Sequence, residues 1–135
     1  MAAGRPRVFD SWALLALFED EPSAGHVRSL LVEAQESHSA LWISVVNLGE
    51  IWYTIARRYA GSEADASIQQ ILELGFEAEG VDWDMAKRAA DFKARHRLSY
   101  ADCFAAALAQ QRRVELVTGD REFRPLEGEI RIHWL

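Results

Sequence analysis

An α/β domain built on a mainly parallel sheet is the fold this sequence predicts, and three observations predict it. Short apolar runs alternate with longer segments whose apolar residues recur at helical spacing. A chain that alternates strand and helix lays successive strands side by side in parallel. The run Leu41–Val46 is apolar almost throughout and rich in β-branched residues, which suits a strand covered on both faces. Finally, 135 residues, 50% of them hydrophobic, supply one core and leave no room for a second, so residues 1–135 read as a single domain.

The elements follow in order. Arg7–Phe9 is a short strand ending at Asp10, and Trp12–Phe18, apolar on every side, is a buried helical segment. Glu19–Ser23, acidic and bearing Pro22, is a loop with Ser23 placed to cap the next helix. In that helix Val27, Leu30, Leu31 and Ala34 share one face. After the Leu41–Val46 strand, Leu48, Ile51, Trp52, Ile55, Ala56 and Tyr59 form one helical stripe, which Gly61 ends. Ala64–Leu74 is a further helix, ended by Gly75, and Phe76–Val81 a short strand. Trp83 to about His96 and Ala101 to about Arg112 are helices. The alanines of the second make it thin enough for close packing on the sheet. Val114–Val117 is a strand running into Thr118-Gly119-Asp120, and the alternating tail Ile130–Trp134 suits a half-exposed edge strand. About five strands and about five to seven helices fit this length.

Composition excludes several classes. Apolar residues run through the whole chain and Pro and Gly are sparse, which excludes disorder as the main state. Cys103 has no second cysteine to pair with, which excludes a disulfide scaffold. The longest clean apolar run, Trp12–Phe18, falls far short of the roughly 20 residues a membrane span needs. Met1–Arg7 is positively charged, but Asp10 interrupts what would be an export signal, so the expected compartment is the reducing cytoplasm. With 15 Lys+Arg against 21 Asp+Glu, the net charge of −6 argues against gripping nucleic acid by a bulk positive field. It leaves open an acidic site that holds metal.

Open parallel sheets place their sites beyond the carboxyl ends of the strands. Asp10 follows the first strand and Asp120 follows Val114–Val117. Glu50 and Asp102 lie in the first turns of helices that start at that same edge. Each has an ordinary structural reading. Asp120 suits a turn, Asp10 suits an N-cap, and Glu50 and Asp102 stand three residues after Asn47 and Ser99, the spacing of a capping box. Taken together, four carboxylates in one small region would repel one another and raise their pKa values unless a cation sat among them. Mg²⁺ or Mn²⁺ suits an all-oxygen set. His26, His38, His96 and His133 are scattered, without the spacing of a zinc site.

Val8–Leu17, Asn47-Leu-Gly-Glu-Ile51, Leu98–Ala107 and Val117–Phe123 together resemble the PIN domain, and within it the VapC toxins of bacterial toxin–antitoxin pairs. The resemblance covers essentially the whole chain, in order. It implies a three-layer α/β/α sandwich with a central parallel sheet and a Mg²⁺- or Mn²⁺-dependent endoribonuclease. The acidic quartet then falls on Asp10, Glu50, Asp102 and Asp120. Ser11 and Thr118 supply the hydroxyls that orient the acids or hold a water, and Glu122 is a loose match for a further acid. Trp12 stands where many members carry a smaller residue. The resemblance also implies a homodimer, which five Trp in so short a chain also suggest, and a cognate antitoxin. Such a partner lays a helix or extended tail in a groove, often with a cationic side chain in the acidic site.

An RNA path needs positive charge. Its candidates are Arg57, Arg58, Lys93–Arg97, Arg112, Arg113, Arg121 and Arg124, with Arg121 favoured because it adjoins Asp120. Several of the others sit in last helical turns, where a cation complements the helix dipole. Trp12, Trp52 and Tyr100 are aromatics on which a base could stack, although Trp52 belongs to the core stripe. A phosphorelay receiver would need a second acid after Asp10 and a lysine near the sheet's end. A dehalogenase-type phosphatase would need Asp at position 12, which is Trp. The alternative that survives is a catalytically silent PIN-fold module whose acids serve only to engage the antitoxin.

Overall fold

The computed structural model describes residues 4–135. Of the Met1–Arg7 segment, residues 1–3 lie outside the described residues. The elements are β1 (Arg7–Phe9), α1 (Ser11–Phe18), α2 (Ala24–Ser37), β2 (Leu41–Ser44), α3 (Val45–Arg58), α4 (Gly61–Glu73), β3 (Phe76–Glu79), α5 (Trp83–Arg95), α6 (Tyr100–Arg112) and β4 (Glu115–Thr118). A short 3-10 helix (Arg121–Leu126) and β5 (Ile132–Trp134) complete the chain.

The five strands lie in the order β3-β2-β1-β4-β5, and every neighbouring pair is parallel. Side chains alternate across the pleat, so adjacent residues feed opposite faces. Val8 and Leu116 pack with Phe92, Phe104, Leu108 and Phe123 on the α5–α6 face. Phe9, Ile43 and Val117 pack with Leu14, Val27, Ile51 and Ile71 on the α1–α4 face. The result is the three-layer α/β/α sandwich. Every residue of α6 from Asp102 to Ala109 is buried. Its alanines let it lie close against both the sheet and α5, a helix apolar nearly all round because it is covered nearly all round. Among the described residues, no helix is long and apolar enough to cross a membrane.

This strand order positions the site. From β1 the chain winds to β2 and β3 on one side, and from β4 it continues to β5 on the other. The crevice beyond the carboxyl ends of β1 and β4 is therefore the switch point of the sheet, where open α/β domains bind ligands. At the opposite end of the same two strands, buried Arg7 lies in register with Glu115 and donates to it at 2.7 Å.

Several local expectations shift. The Leu41–Val46 strand ends at Ser44, whose hydroxyl accepts from the Val46 N–H at 3.2 Å and turns Val45 and Val46 into the start of α3. Ser44, not Asn47, is thus the N-cap of that helix. Gly61 opens α4 instead of merely ending α3. Gly75, at φ +98°, ends α4 as expected, because a left-handed turn suits a residue with no Cβ. Ser23 occupies the N-cap position of α2 without a capping hydrogen bond from its side chain. In the α3 stripe Ile51 and Ile55 are buried, but Trp52 and Tyr59 are exposed. Trp52 instead spans to α4, donating to Asp65 at 2.9 Å.

Candidate functional site

Asp10 immediately follows β1 and is the N-cap of α1. Its carboxylate accepts from the Ala13 N–H at 2.9 Å and from the Thr118 hydroxyl at 2.5 Å. The carboxyl is all but fully buried. That burial lifts its pKa from 3.8 to about 8, against the pull of the Thr118 and Ala13 hydrogen bonds and with a further push from the charges of Asp102 and Asp120.

Asp102 sits in the first turn of α6, where Ser99 caps the helix by accepting from the Asp102 N–H at 3.1 Å. The capping-box spacing therefore operates at Ser99, yet the Asp102 carboxylate faces its neighbouring acids. Burial raises it to about 6; Ser99 opposes this, and Asp120, Glu50 and Glu122 add to it. Asp120 caps the 3-10 helix, accepting from the Glu122 N–H at 3.0 Å, and its own N–H donates to Thr118 Oγ1 at 3.0 Å. Glu122 is thereby folded back beside it. Carboxylate oxygens of Asp102, Asp120 and Glu122 all lie within 4.8 Å of one another. The loose match at position 122 thus joins the cluster, because the Asp120 carboxylate holds the Glu122 N–H and keeps the two residues side by side.

Glu50 enters from α3. Its Oε1 accepts from Ser11 Oγ at 2.8 Å and from Asn47 Nδ2 at 3.0 Å, and its charge acts on Asp102. Asp102, Asp120 and Glu122 thus form the close cluster at the β1/β4 switch point, flanked by Asp10, which feels the charges of Asp102 and Asp120, and by Glu50, whose charge acts on Asp102. Ser11 donates to Glu50 and Thr118 to Asp10, so each hydroxyl orients an acid other than its sequence neighbour. All-oxygen donors at this spacing fit a hard divalent cation such as Mg²⁺ or Mn²⁺ and offer no soft ligand for zinc.

The surroundings are more mixed. Trp12 packs against the turn between β4 and Asp120 so closely that a Cβ on Gly119 would lie 2.2 Å from its ring. Its other side lines a cleft of about 500 Å³ with Leu15, Pro22 and Arg58. Arg58 pairs with Glu19, Arg112 with Glu79, and Arg95 with Asp91 and Glu129, so these candidates for an RNA path are already engaged. Lys93 donates to the Leu98 carbonyl, and Arg57 lies over the Tyr53 ring at 4.9 Å. Arg121 stacks at 4.9 Å over Trp134, the residue paired with Thr118 across the β4–β5 edge. Tyr100 packs edge-on against Phe104.

The PIN domain family model matches residues 7–129. The chain belongs to the PIN domain family. Its fold is similar to that of Mycobacterium tuberculosis VapC20, a sarcin-ricin loop cleaving toxin, at a TM-score of 0.73 and 19% identity over 92% of this chain and 95% of that one. It is similar also to DNA-bound VapBC from Salmonella typhimurium, with a TM-score of 0.76 and 21% identity over 96% and 97% of the two chains. VapBC2 from Rickettsia felis, bound to a promoter DNA fragment, gives 0.77 and 14% over 96% and 98%. Among curated proteins none matches the sequence. PIN membership fits the placement of the acids, which come from four segments far apart in the chain.

Proposed function

We propose that this PIN domain is a Mg²⁺- or Mn²⁺-dependent endoribonuclease, the toxin of a VapBC-type pair, hydrolysing RNA phosphodiester bonds. The observation that carries this reading is the convergence of acids at the β1/β4 switch point, where carboxylate oxygens of Asp102, Asp120 and Glu122 lie within 4.8 Å of one another beside Asp10 and Glu50. Asp10, Glu50, Asp102 and Asp120 are the metal-binding and catalytic carboxylates in this reading, and Ser11 and Thr118 orient them. Glu122 stands as a fifth acid beside Asp102 and Asp120. A divalent ion bound there would neutralise charge at the phosphate and lower the pKa of a water. The chain's own residues hold the acids at fixed separation and exclude bulk water from Asp10.

The partners in this reading are an RNA substrate, a cognate antitoxin and a second copy of the chain, all met in the cytoplasm. Fold similarity to VapBC complexes supports the antitoxin, and the exposed Trp52 and Tyr53 of α3, with Tyr59 just after it, support a homodimer. The test is cleavage of total RNA by purified protein with Mn²⁺, Mg²⁺ or EDTA. Divalent-dependent cutting that disappears in Asp102→Asn, while the circular dichroism spectrum is kept, is the expected result. RNA left intact by wild type in every metal would favour the silent module that binds antitoxin alone.

A further inference from the structure

Asn47 is fully buried in the first turns of α3, yet it does not cap that helix. Its Nδ2 donates to Glu50 Oε1 at 3.0 Å and to the Ala101 carbonyl at 3.2 Å. Ala101 immediately precedes Asp102 in α6. One amide group therefore ties the side chain of one acid to the backbone that carries another, across two helices 54 positions apart in sequence. Its Oδ1 is left buried with no hydrogen-bond partner. Turning the amide over would satisfy nothing, because it would set that oxygen against two acceptors. Both donors are in use and an acceptor is forgone, an uncommon arrangement for a buried polar group.

Ser11 shares this role. Its hydroxyl donates to the same Glu50 oxygen at 2.8 Å, so Oε1 is occupied twice, and among the described residues no hydrogen bond falls on Oε2. The carboxylate is thereby locked by one oxygen with the other free.

We infer that Asn47 is a positioning residue: it sets the separation of the Glu50 and Asp102 carboxylates and presents the free Glu50 oxygen to the metal. This rests on the metal-dependent reading of the site. Residues that hold ligands in place without touching the metal typically change its affinity by about 10–100-fold when removed.

The test is Mn²⁺ titration of the RNA-free protein, followed by electron paramagnetic resonance. Asn47→Ala weakens Mn²⁺ binding about 10-fold. Its circular dichroism spectrum stays native and its RNA KM stays near wild type while kcat falls. In a Glu50→Gln background the same substitution produces a clearly smaller further loss of Mn²⁺ affinity, because its route through Glu50 is already gone and only the link to Ala101 remains. A purely structural Asn47 would lower the melting temperature in EDTA and leave the two effects additive. Should Asn47→Ala fail to fold, Asn47→Ser, which keeps a hydroxyl too short to span both acceptors, reads the same quantities. Unchanged Mn²⁺ affinity in the folded variant, or an equal loss in the Glu50→Gln background, overturns the inference. Wild type that binds no Mn²⁺ at all overturns the metal reading beneath it, an outcome distinct from either.

Discussion

The Thr118 hydroxyl donates to the Asp10 carboxylate at 2.5 Å while accepting from the Asp120 N–H at 3.0 Å. One side chain at the end of β4 therefore links the acid after β1 to the acid after its own strand. Thr118→Val keeps the shape and removes both bonds, leaving buried Asp10 Oδ2 without its donor and the Asp120 N–H without its acceptor. We expect a loss of about 2–3 kcal/mol in urea unfolding, the cost of stranding such groups. Thr118→Ser should keep most of that stability. Equal stability of the Val and Thr proteins would show that the bond is idle.

The raised Asp10 carboxyl makes stability depend on pH in a direction opposite to the common acid case. With its pKa at about 8 folded against 3.8 in the reference state, the native chain holds a proton that the unfolded chain has lost. Metal-free stability should therefore fall as pH rises from about 4 to about 8, and Asp102, at about 6, steepens the first half. Glu115 works the other way. Burial opposes its ionisation, but buried Arg7 more than offsets this and holds its carboxyl below the ordinary range, so its contribution is lost only on strong acidification. Thermal unfolding in EDTA at pH 5, 6.5 and 8 should give a falling series. Asp10→Asn should flatten it, and saturating Mg²⁺ or Mn²⁺ should reverse it, because the ion requires the ionised acids. A flat wild-type series would refute the Asp10 shift.

Gly119→Ala tests the close packing beside the acids. A Cβ there would lie 2.2 Å from Cη2 and 2.3 Å from Cζ3 of Trp12. A rigid ring cannot yield that distance without moving the turn that carries Asp120. The expected cost is about 1–3 kcal/mol, the range for overpacking, with weaker Mn²⁺ binding. Trp12→Leu should relieve most of the stability loss in the double variant. Additive losses by chemical denaturation would mean that the two residues do not interfere.

Much of this was legible in the chain because it rests on local chemistry. Strand-ending Asp10 and Asp120, and Asp102 three residues after Ser99, are readable from which residue follows which element. The parallel order follows from strand–helix alternation. Other features depend on tertiary position. Ser44 rather than Asn47 caps α3 because Ser44 is where the strand's hydrogen bonding stops, a boundary that apolar Val45 and Val46 conceal. Asn47 then becomes free to reach Ala101, a contact between helices that no periodicity announces. Trp52 looks like core by spacing, but α4 leaves room at its edge and its indole N–H finds Asp65 at the surface. Glu122 joins the acids only because the Asp120 carboxylate holds its N–H at the start of the 3-10 helix.

Arg121 is the cation to test for an RNA path. It is exposed, it follows Asp120, and its guanidinium rests at 4.9 Å over the Trp134 ring. Stacking orients the side chain without neutralising it, so its charge remains available to a phosphate, whereas Arg58, Arg95 and Arg112 are already paired with acids. Arg121→Ala should raise the RNA KM several-fold and lower the slope of log affinity against log salt by about 1, the signature of one lost phosphate contact. Mn²⁺ affinity should not change, because Arg121 holds none of the acids. Trp134→Ala should give a smaller shift in the same direction, since the arginine keeps its charge but loses its support. An Arg121→Ala protein with wild-type KM and salt slope would remove this residue from the RNA path and leave the acidic site untouched.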